Sequence, residues 1–135
     1  MEHGPFRFRN NKKQWVLEEN PHSWHRLPAN VLYIDQPVGT GLSFTTTEDY
    51  CSNDEEVNED LYAFLQNFLK VHAELFVDQQ SNSMNRKLWF SGESYAGHYI
   101  PSFINHLLQK EDNTDTNKND IQINIGGAAI GTFKF

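Results

Sequence analysis

The chain has 135 residues and a single cysteine, Cys51, which allows one domain with one core and excludes an internal disulfide or a CxxC metal site. Hydrophobic residues make up 38% of it, no apolar run reaches the roughly 18 residues of a transmembrane helix, and the N-terminus lacks the pattern of a signal peptide. The net charge of −7 disfavours contact with phosphate backbones, so we expect no nucleic-acid partner. Without a transmembrane run we expect no membrane partner either, and nothing in the sequence indicates a metal or cofactor.

The first part of the chain predicts a hairpin, a loop and a buried strand. The short runs 6–9 and 14–17 flank a polar turn, as in a β-hairpin. Prolines punctuate residues 18–28, which predicts a loop. Residues 31–34, Val-Leu-Tyr-Ile, form a continuous apolar run, which is typical of a strand buried on both faces of a parallel sheet.

The second part of the chain alternates helical and strand patterns. Residues 54–76 place apolar side chains three to four apart, which predicts a long amphipathic helix. A strand at 88–90, a helix at 98–110 and a final strand at 121–130 follow, with polar loops between them. This order predicts two successive β-α-β units with parallel strands, hence an α/β fold with helices on the faces of a sheet.

The segment that joins the strand at 88–90 to the following helix reads G-E-S-Y-A, with Ser94 at its centre. It is close to G-x-S-x-G, a tight strand-to-helix turn that exposes a nucleophilic serine and needs small residues because strand and helix nearly collide. Ala96 is small enough to meet that need. We therefore predict Ser94 as a nucleophile and the backbone N–H of Tyr95 as one oxyanion donor. The alternative is a serine that only caps a helix.

The sequence shows no base for this serine. In the order serine, acid, histidine, only His98 and His106 follow Ser94, and no separate loop carries an acid before either of them. Both are expected to be ordinary histidines on a helix face. Asp35 precedes the serine and is expected to shape a loop, 36–43, that lines the site, because ligands bind at the carboxyl ends of parallel strands.

Four segments of the chain resemble family motifs. Residues 2–5, 20–24, 30–44 and 92–101 read E-H-G-P, N-P-H-S-W, N-V-L-Y-I-D-Q-P-V-G-T-G-L-S-F and G-E-S-Y-A-G-H-Y-I-P. In order and spacing they are similar to motifs of the serine carboxypeptidases, an α/β-hydrolase family. The resemblance implies a partial α/β-hydrolase domain over residues 1–135, with a mostly parallel sheet, flanking helices and an N-terminal hairpin. It also implies that the start and the C-terminal half of the domain, with the catalytic Asp and His, are absent.

The resemblance implies a chemistry for the intact enzyme. Ser94 would form an acyl-enzyme with peptides and release their C-terminal residues. Glu2 and Glu93 match the paired glutamates that hold the substrate's terminal carboxylate. Two close carboxyls cannot both ionise easily, so one keeps a proton to donate to the substrate, and acidic pH is favoured. The alternative is that Glu2 is an ordinary terminal residue and Glu93 a polar turn residue.

Three functions stay open at this point. The chain is a serine carboxypeptidase segment that is active only with the rest of its domain, a non-catalytic truncated product, or a segment of a related acyltransferase. The expected partners are peptide or protein C-termini, and the oligomeric state is open. The resemblance implies the secretory pathway, a vacuole or lysosome, or the extracellular space. Cys51 is either free or paired with a cysteine outside the chain.

Overall fold

The structure is a computed structural model, and it describes residues 3–12, 14–47, 49–112 and 119–131. The chain divides into two compact units, Met1–Ile34 and Asp35–Phe135. The first unit is built on an antiparallel hairpin of β1 (Phe6–Asn11) and β2 (Gln14–Glu19), which confirms the predicted hairpin. A short 3-10 helix, Trp24–Arg26, follows it.

The two faces of the hairpin differ in polarity. Phe8 pairs with Leu17 and Arg7 pairs with Glu18, so successive pairs point to opposite faces. One face carries an ion pair between Arg7 and Glu18, with 2.7 Å between Nε and Oε1. The other face carries four large exposed apolar side chains and is called the hairpin's apolar face here; its members are Phe6, Phe8, Trp15 and Leu17.

The N-P-H-S-W segment is tied to the residues before the hairpin. The buried Asn20 side chain donates to the carbonyl of Gly4 at 3.0 Å. The Ser23 hydroxyl donates to the carbonyl of His3 at 2.7 Å, and the rings of His3 and Trp24 stack with centroids 4.5 Å apart. Two motifs about twenty residues apart in sequence therefore form one local structure.

The prediction of a strand at residues 31–34 is wrong. These residues have no strand assignment and all four side chains are exposed, Tyr33 by 62%. An apolar run becomes a strand only when neighbouring strands take up its backbone hydrogen bonds. Within the described residues, no strand pairs with this run.

The first helix of the second unit is α1 (Asp54–Val71). Asn53 caps it, because its side chain accepts a hydrogen bond from the N–H of Glu56 at 3.0 Å. The predicted single helix breaks at His72 and restarts as α2 (Ala73–Phe76). The following polar loop contains a small antiparallel pair, β3 (Val77–Asp78) and β4 (Ser83–Met84).

The described residues end in one β-α-β unit, where two such units were expected. It consists of β5 (Leu88–Glu93), α3 (Ala96–Asp112) and β6 (Ile125–Gly131), and the two strands are parallel as predicted. The other expected unit is missing because residues 31–34 form no strand. Strand β6 begins later than predicted, and part of the predicted loop at 111–120, residues 113–118, lies outside the described residues.

The core lies where α1 and α3 cover the strands. Its most deeply buried side chains are Phe103 and Leu107 of α3, packed with Leu65 and Leu69 of α1. Strand β5 is less buried than predicted, because Trp89 is 64% exposed. The core is joined directly to the turn that carries the predicted nucleophile, because α3, which supplies Phe103 and Leu107, begins two residues after Ser94.

Candidate active site

Ser94 lies in the turn between β5 and α3, as predicted. Its φ of 58° is in the left-handed region, which a non-glycine residue adopts only when the surroundings impose it. Its backbone N–H donates to the carbonyl of Gly131 on β6 at 3.1 Å, and its carbonyl accepts from the N–H of Gly97 at 3.0 Å. The turn is thus held from both strand and helix, and Ser94 is exposed to solvent.

The steric reason for the turn lies at Gly92. A Cβ placed on Gly92 would lie 2.4 Å from the Cβ of Ala96 and 3.1 Å from Cδ1 of Ile100. Strand and helix therefore approach too closely for two side chains. A single glycine at this crossing is sufficient, which is why the chain tolerates Ala96 where the usual pattern has a second glycine.

The peptide group after Ser94 is available for an oxyanion. Among the described residues, no acceptor takes a hydrogen bond from the N–H of Tyr95. The carbonyl of Tyr95 is engaged, since it accepts from the N–H groups of His98 at 2.9 Å and Tyr99 at 3.3 Å. The geometry therefore leaves a donor next to the serine, as oxyanion stabilisation requires.

None of the six histidines, all of which are described, forms a hydrogen bond with the Ser94 hydroxyl. His98 lies on the first turn of α3, where its Nε2 is 2.8 Å from Oδ2 of Asp54 on α1. His106 lies further along α3, with Nε2 3.7 Å from Oε1 of Glu59. Both are histidines on a helix face, as expected from the sequence.

Of the two predicted carboxylate-binding residues, the structure describes only Glu93. Glu93 is the last residue of β5, directly before Ser94, pairs with Gly131 and is exposed. Glu2 lies outside the described residues. The predicted pairing of the two carboxyls therefore stays a prediction.

Asp35 organises the loop at 36–43. Its carboxylate accepts from the N–H of Leu42 at 2.9 Å, and its carbonyl accepts from the Ser43 hydroxyl at 2.7 Å. Gly41 has a φ of 55°, and a Cβ there would lie 2.2 Å from the Asp35 carboxylate. These contacts give Asp35 a structural role in its own loop. The predicted placement of this loop beside Ser94 depends on a strand at 31–34, and these residues form no strand. The placement therefore stays a prediction.

Cys51 is free and lies against a carboxylate. Its Sγ is 3.2 Å from Oδ2 of Asp60, and burial together with Asp60 raises the pKa of the thiol. In the described ranges, no three His, Cys, Asp or Glu side chains are grouped so as to hold a metal ion. The same ranges contain no helix long and apolar enough to cross a bilayer.

Asp54 makes a contact that the sequence did not predict. Its place in the first turn of α1 indicated only a favourable interaction with the helix dipole. Its partner His98 lies 44 positions away. No short-range pattern links two such residues.

Comparisons with known proteins agree with the motifs. The serine carboxypeptidase family model matches residues 1–132. Serine carboxypeptidase S10 family member 2 of Dictyostelium discoideum is 43% identical over 97% of this chain and 22% of its own length. Pheromone-processing carboxypeptidase KEX1 of Phytophthora infestans is 39% identical over 89% of this chain and 20% of its own length.

A solved structure is also similar. It is the crystal structure of Kex1(Δ)p, a prohormone-processing carboxypeptidase from Saccharomyces cerevisiae. It aligns with a TM-score of 0.70 and 32% sequence identity over 96% of this chain and 26% of that chain. The chain therefore spans about a quarter or less of the length of these relatives.

Proposed function

The chain belongs to the serine carboxypeptidase family and has part of an α/β-hydrolase fold, and from this we propose that Ser94 is the nucleophile of a serine-type carboxypeptidase. The observation that carries the proposal is the exposed Ser94 with a φ of 58°, held in a strand-to-helix turn. A helix-capping serine needs no such conformation, because a cap residue normally has an extended backbone.

The proposed reaction is acyl transfer to water. The Oγ of Ser94 attacks the carbonyl carbon of the last peptide bond, and the proton of the hydroxyl passes to a base. The C-terminal amino acid leaves with that proton, and water then cleaves the ester bond of the acyl-enzyme. The N–H of Tyr95 stabilises the oxyanion of both steps. We assign the base and its acid to the part of the relatives' length that this chain does not span.

Glu93 and Glu2 are proposed to bind the substrate's terminal carboxylate. Support comes from the position of Glu93, which is exposed and adjacent in sequence to the nucleophile. Two carboxyl groups held close together cannot both ionise easily, and such a pair can therefore donate a hydrogen bond to a carboxylate in acid. Peptide or protein C-termini are thus the proposed substrates, and the family supports a location in the secretory pathway, a vacuole or lysosome, or outside the cell.

A graft tests the nucleophile. Residues 1–131 replace the matching segment of the Dictyostelium relative, which supplies the remaining length of the enzyme. We expect the graft to release the C-terminal residue of a blocked dipeptide, and Ser94→Ala to lower kcat by about 10⁴-fold or more. Ser91→Ala, which changes an exposed serine of β5, is the matched control and should keep full activity. Activity that survives Ser94→Ala would refute the proposal.

A further inference from the structure

A row of polar contacts fastens α3 to α1. On α3 the row uses every fourth residue, so its members lie on one side of the helix. Three of these residues bond to α1: His98 Nε2 lies 2.8 Å from Asp54 Oδ2, Ser102 Oγ lies 2.9 Å from Asn58 Nδ2, and Lys110 Nζ lies 2.7 Å from Glu59 Oε1. The fourth, His106, has its Nε2 3.7 Å from Glu59 Oε1, which is beyond hydrogen-bond distance. This row is called the polar seam.

The first contact of the seam lies next to the nucleophile turn. The backbone N–H of His98 donates to the carbonyl of Tyr95 at 2.9 Å, and the ring centroids of the two residues are 5.4 Å apart. Tyr95 carries the N–H that the proposed mechanism uses for the oxyanion. The other contacts of the seam lie one to three helical turns further along α3, at Ser102, His106 and Lys110.

We infer that Asp54 and His98 are positioning residues for the Ser94–Tyr95 turn, an inference that rests on the proposed function. One hydrogen bond, from the Ser94 N–H to the Gly131 carbonyl, fixes the strand side of the turn. On the helix side, a rotation of α3 about its axis would move the Tyr95 N–H relative to the Ser94 hydroxyl. The bond from His98 to Asp54 resists that rotation at the first turn of α3, whereas the later contacts resist it further from the site.

The exposure of the His98 and Asp54 side chains distinguishes a positioning role from a contribution to the stability of the fold. The side chains of His98 and Asp54 are 48% and 55% exposed, and exposed pairs contribute little to the free energy of folding. Small displacements of catalytic groups, by contrast, have large effects on rate, up to about a hundredfold for 1 Å. Loss of the pair should therefore lower kcat clearly while it leaves the melting temperature almost unchanged.

The test uses variants of the grafted enzyme. We expect His98→Leu to lower kcat about tenfold with little change in KM or Tm, because the reacting groups lose alignment while substrate contacts remain. His98→Gln keeps an N–H donor near the position of Nε2 and should recover most of the rate. Ser102→Ala breaks the second contact of the same two helices, and it should leave kcat unchanged even if it lowers Tm.

A double-mutant cycle completes the test. Asp54→Ala should lower kcat about as much as His98→Leu, and the double variant should lose no more than either single one. Glu55→Ala removes a neighbouring charge from the same helical turn and should be silent. Equal effects of His98→Leu and Ser102→Ala on kcat, or additive effects of Asp54→Ala and His98→Leu, would overturn the inference. Failure of the proposed function itself would show separately, as activity without Ser94.

Discussion

Single residues decide the conformation of the nucleophile turn. Ser94 adopts a left-handed φ of 58°, which is unfavourable for a residue with a Cβ. Bonds to Gly131 and Gly97 hold it there, and Gly92 leaves the room that the crossing of strand and helix requires. The contacts of its neighbours thus offset the unfavourable conformational energy of Ser94, as is common at functional sites.

Glu93 offers a test at this scale. In the grafted enzyme at pH 5, we expect Glu93→Ala to raise KM for a peptide with a free C-terminal carboxylate by about tenfold, since it removes a hydrogen bond to a charged group. The same peptide with a C-terminal amide should be cleaved slowly by both enzymes and show no such change. Glu74→Ala, an exposed glutamate of α2, is the control. An unchanged KM for the free acid would contradict the proposed carboxylate site.

At the scale of elements, α1 and α3 carry the turn. Phe103 and Leu107 anchor α3 in the core, and the polar seam fixes which side of α3 faces α1. His106 is the most buried titratable group of the seam. Its Nε2 has no hydrogen-bond partner among the described residues.

The packing of these two helices is predicted to weaken in acid. Burial lowers the pKa of His106, and the nearby Lys110 also lowers it, while Glu59 opposes this effect. Unfolding releases the group to its ordinary pKa of about 6.5, so the unfolded chain binds the proton more readily. The stability contributed by neutral His106 is therefore complete above about pH 6.5 and is lost as the pH falls through the lower, folded-state pKa.

Thermal unfolding of the chain at pH 7.5 and pH 5 measures this effect. The natural chain should lose more Tm on acidification than His106→Gln, by on the order of 3 °C. His22→Gln, at an exposed turn residue, should keep the pH dependence of the natural chain. The same Tm loss in the natural chain and in His106→Gln would show that His106 is not the group responsible.

The elements also show what sequence can predict. The hairpin and both long helices can be predicted from patterns that lie within each segment. The turn between β5 and α3 can be predicted from the small residues around Ser94. The strand at 31–34 failed because an apolar run does not specify whether neighbouring strands pair with it. The contact between Asp54 and His98 could not be predicted from a local pattern either, because only the packing of two helices brings these side chains together.

At the scale of the whole molecule, the chain carries the proposed nucleophile and oxyanion donor, while none of its six histidines, all of which are described, bonds to the Ser94 hydroxyl. Its length is about a quarter or less of that of its relatives. Its surface carries many large apolar side chains, including those of the hairpin's apolar face and of residues 31–34. Such surfaces favour association with other polypeptide.

We therefore predict that the chain by itself hydrolyses no blocked dipeptide above background. The physical reason is that none of the six histidines, all of which are described, forms a hydrogen bond with the Ser94 hydroxyl, so no histidine is placed to take up its proton during attack. The assay is release of the C-terminal amino acid at pH 5 and pH 7.5, with the grafted enzyme as positive control. Hydrolysis by the chain alone that disappears in Ser94→Ala would contradict this prediction.

The hairpin's apolar face has an optical consequence. Trp15 belongs to that face and is 70% exposed, so its indole lies largely in water. Indole emission shifts to the blue and changes in intensity when water is replaced by apolar groups. Any polypeptide that packs on this face must therefore alter the fluorescence of Trp15, which makes the residue a built-in reporter of whether the face is covered.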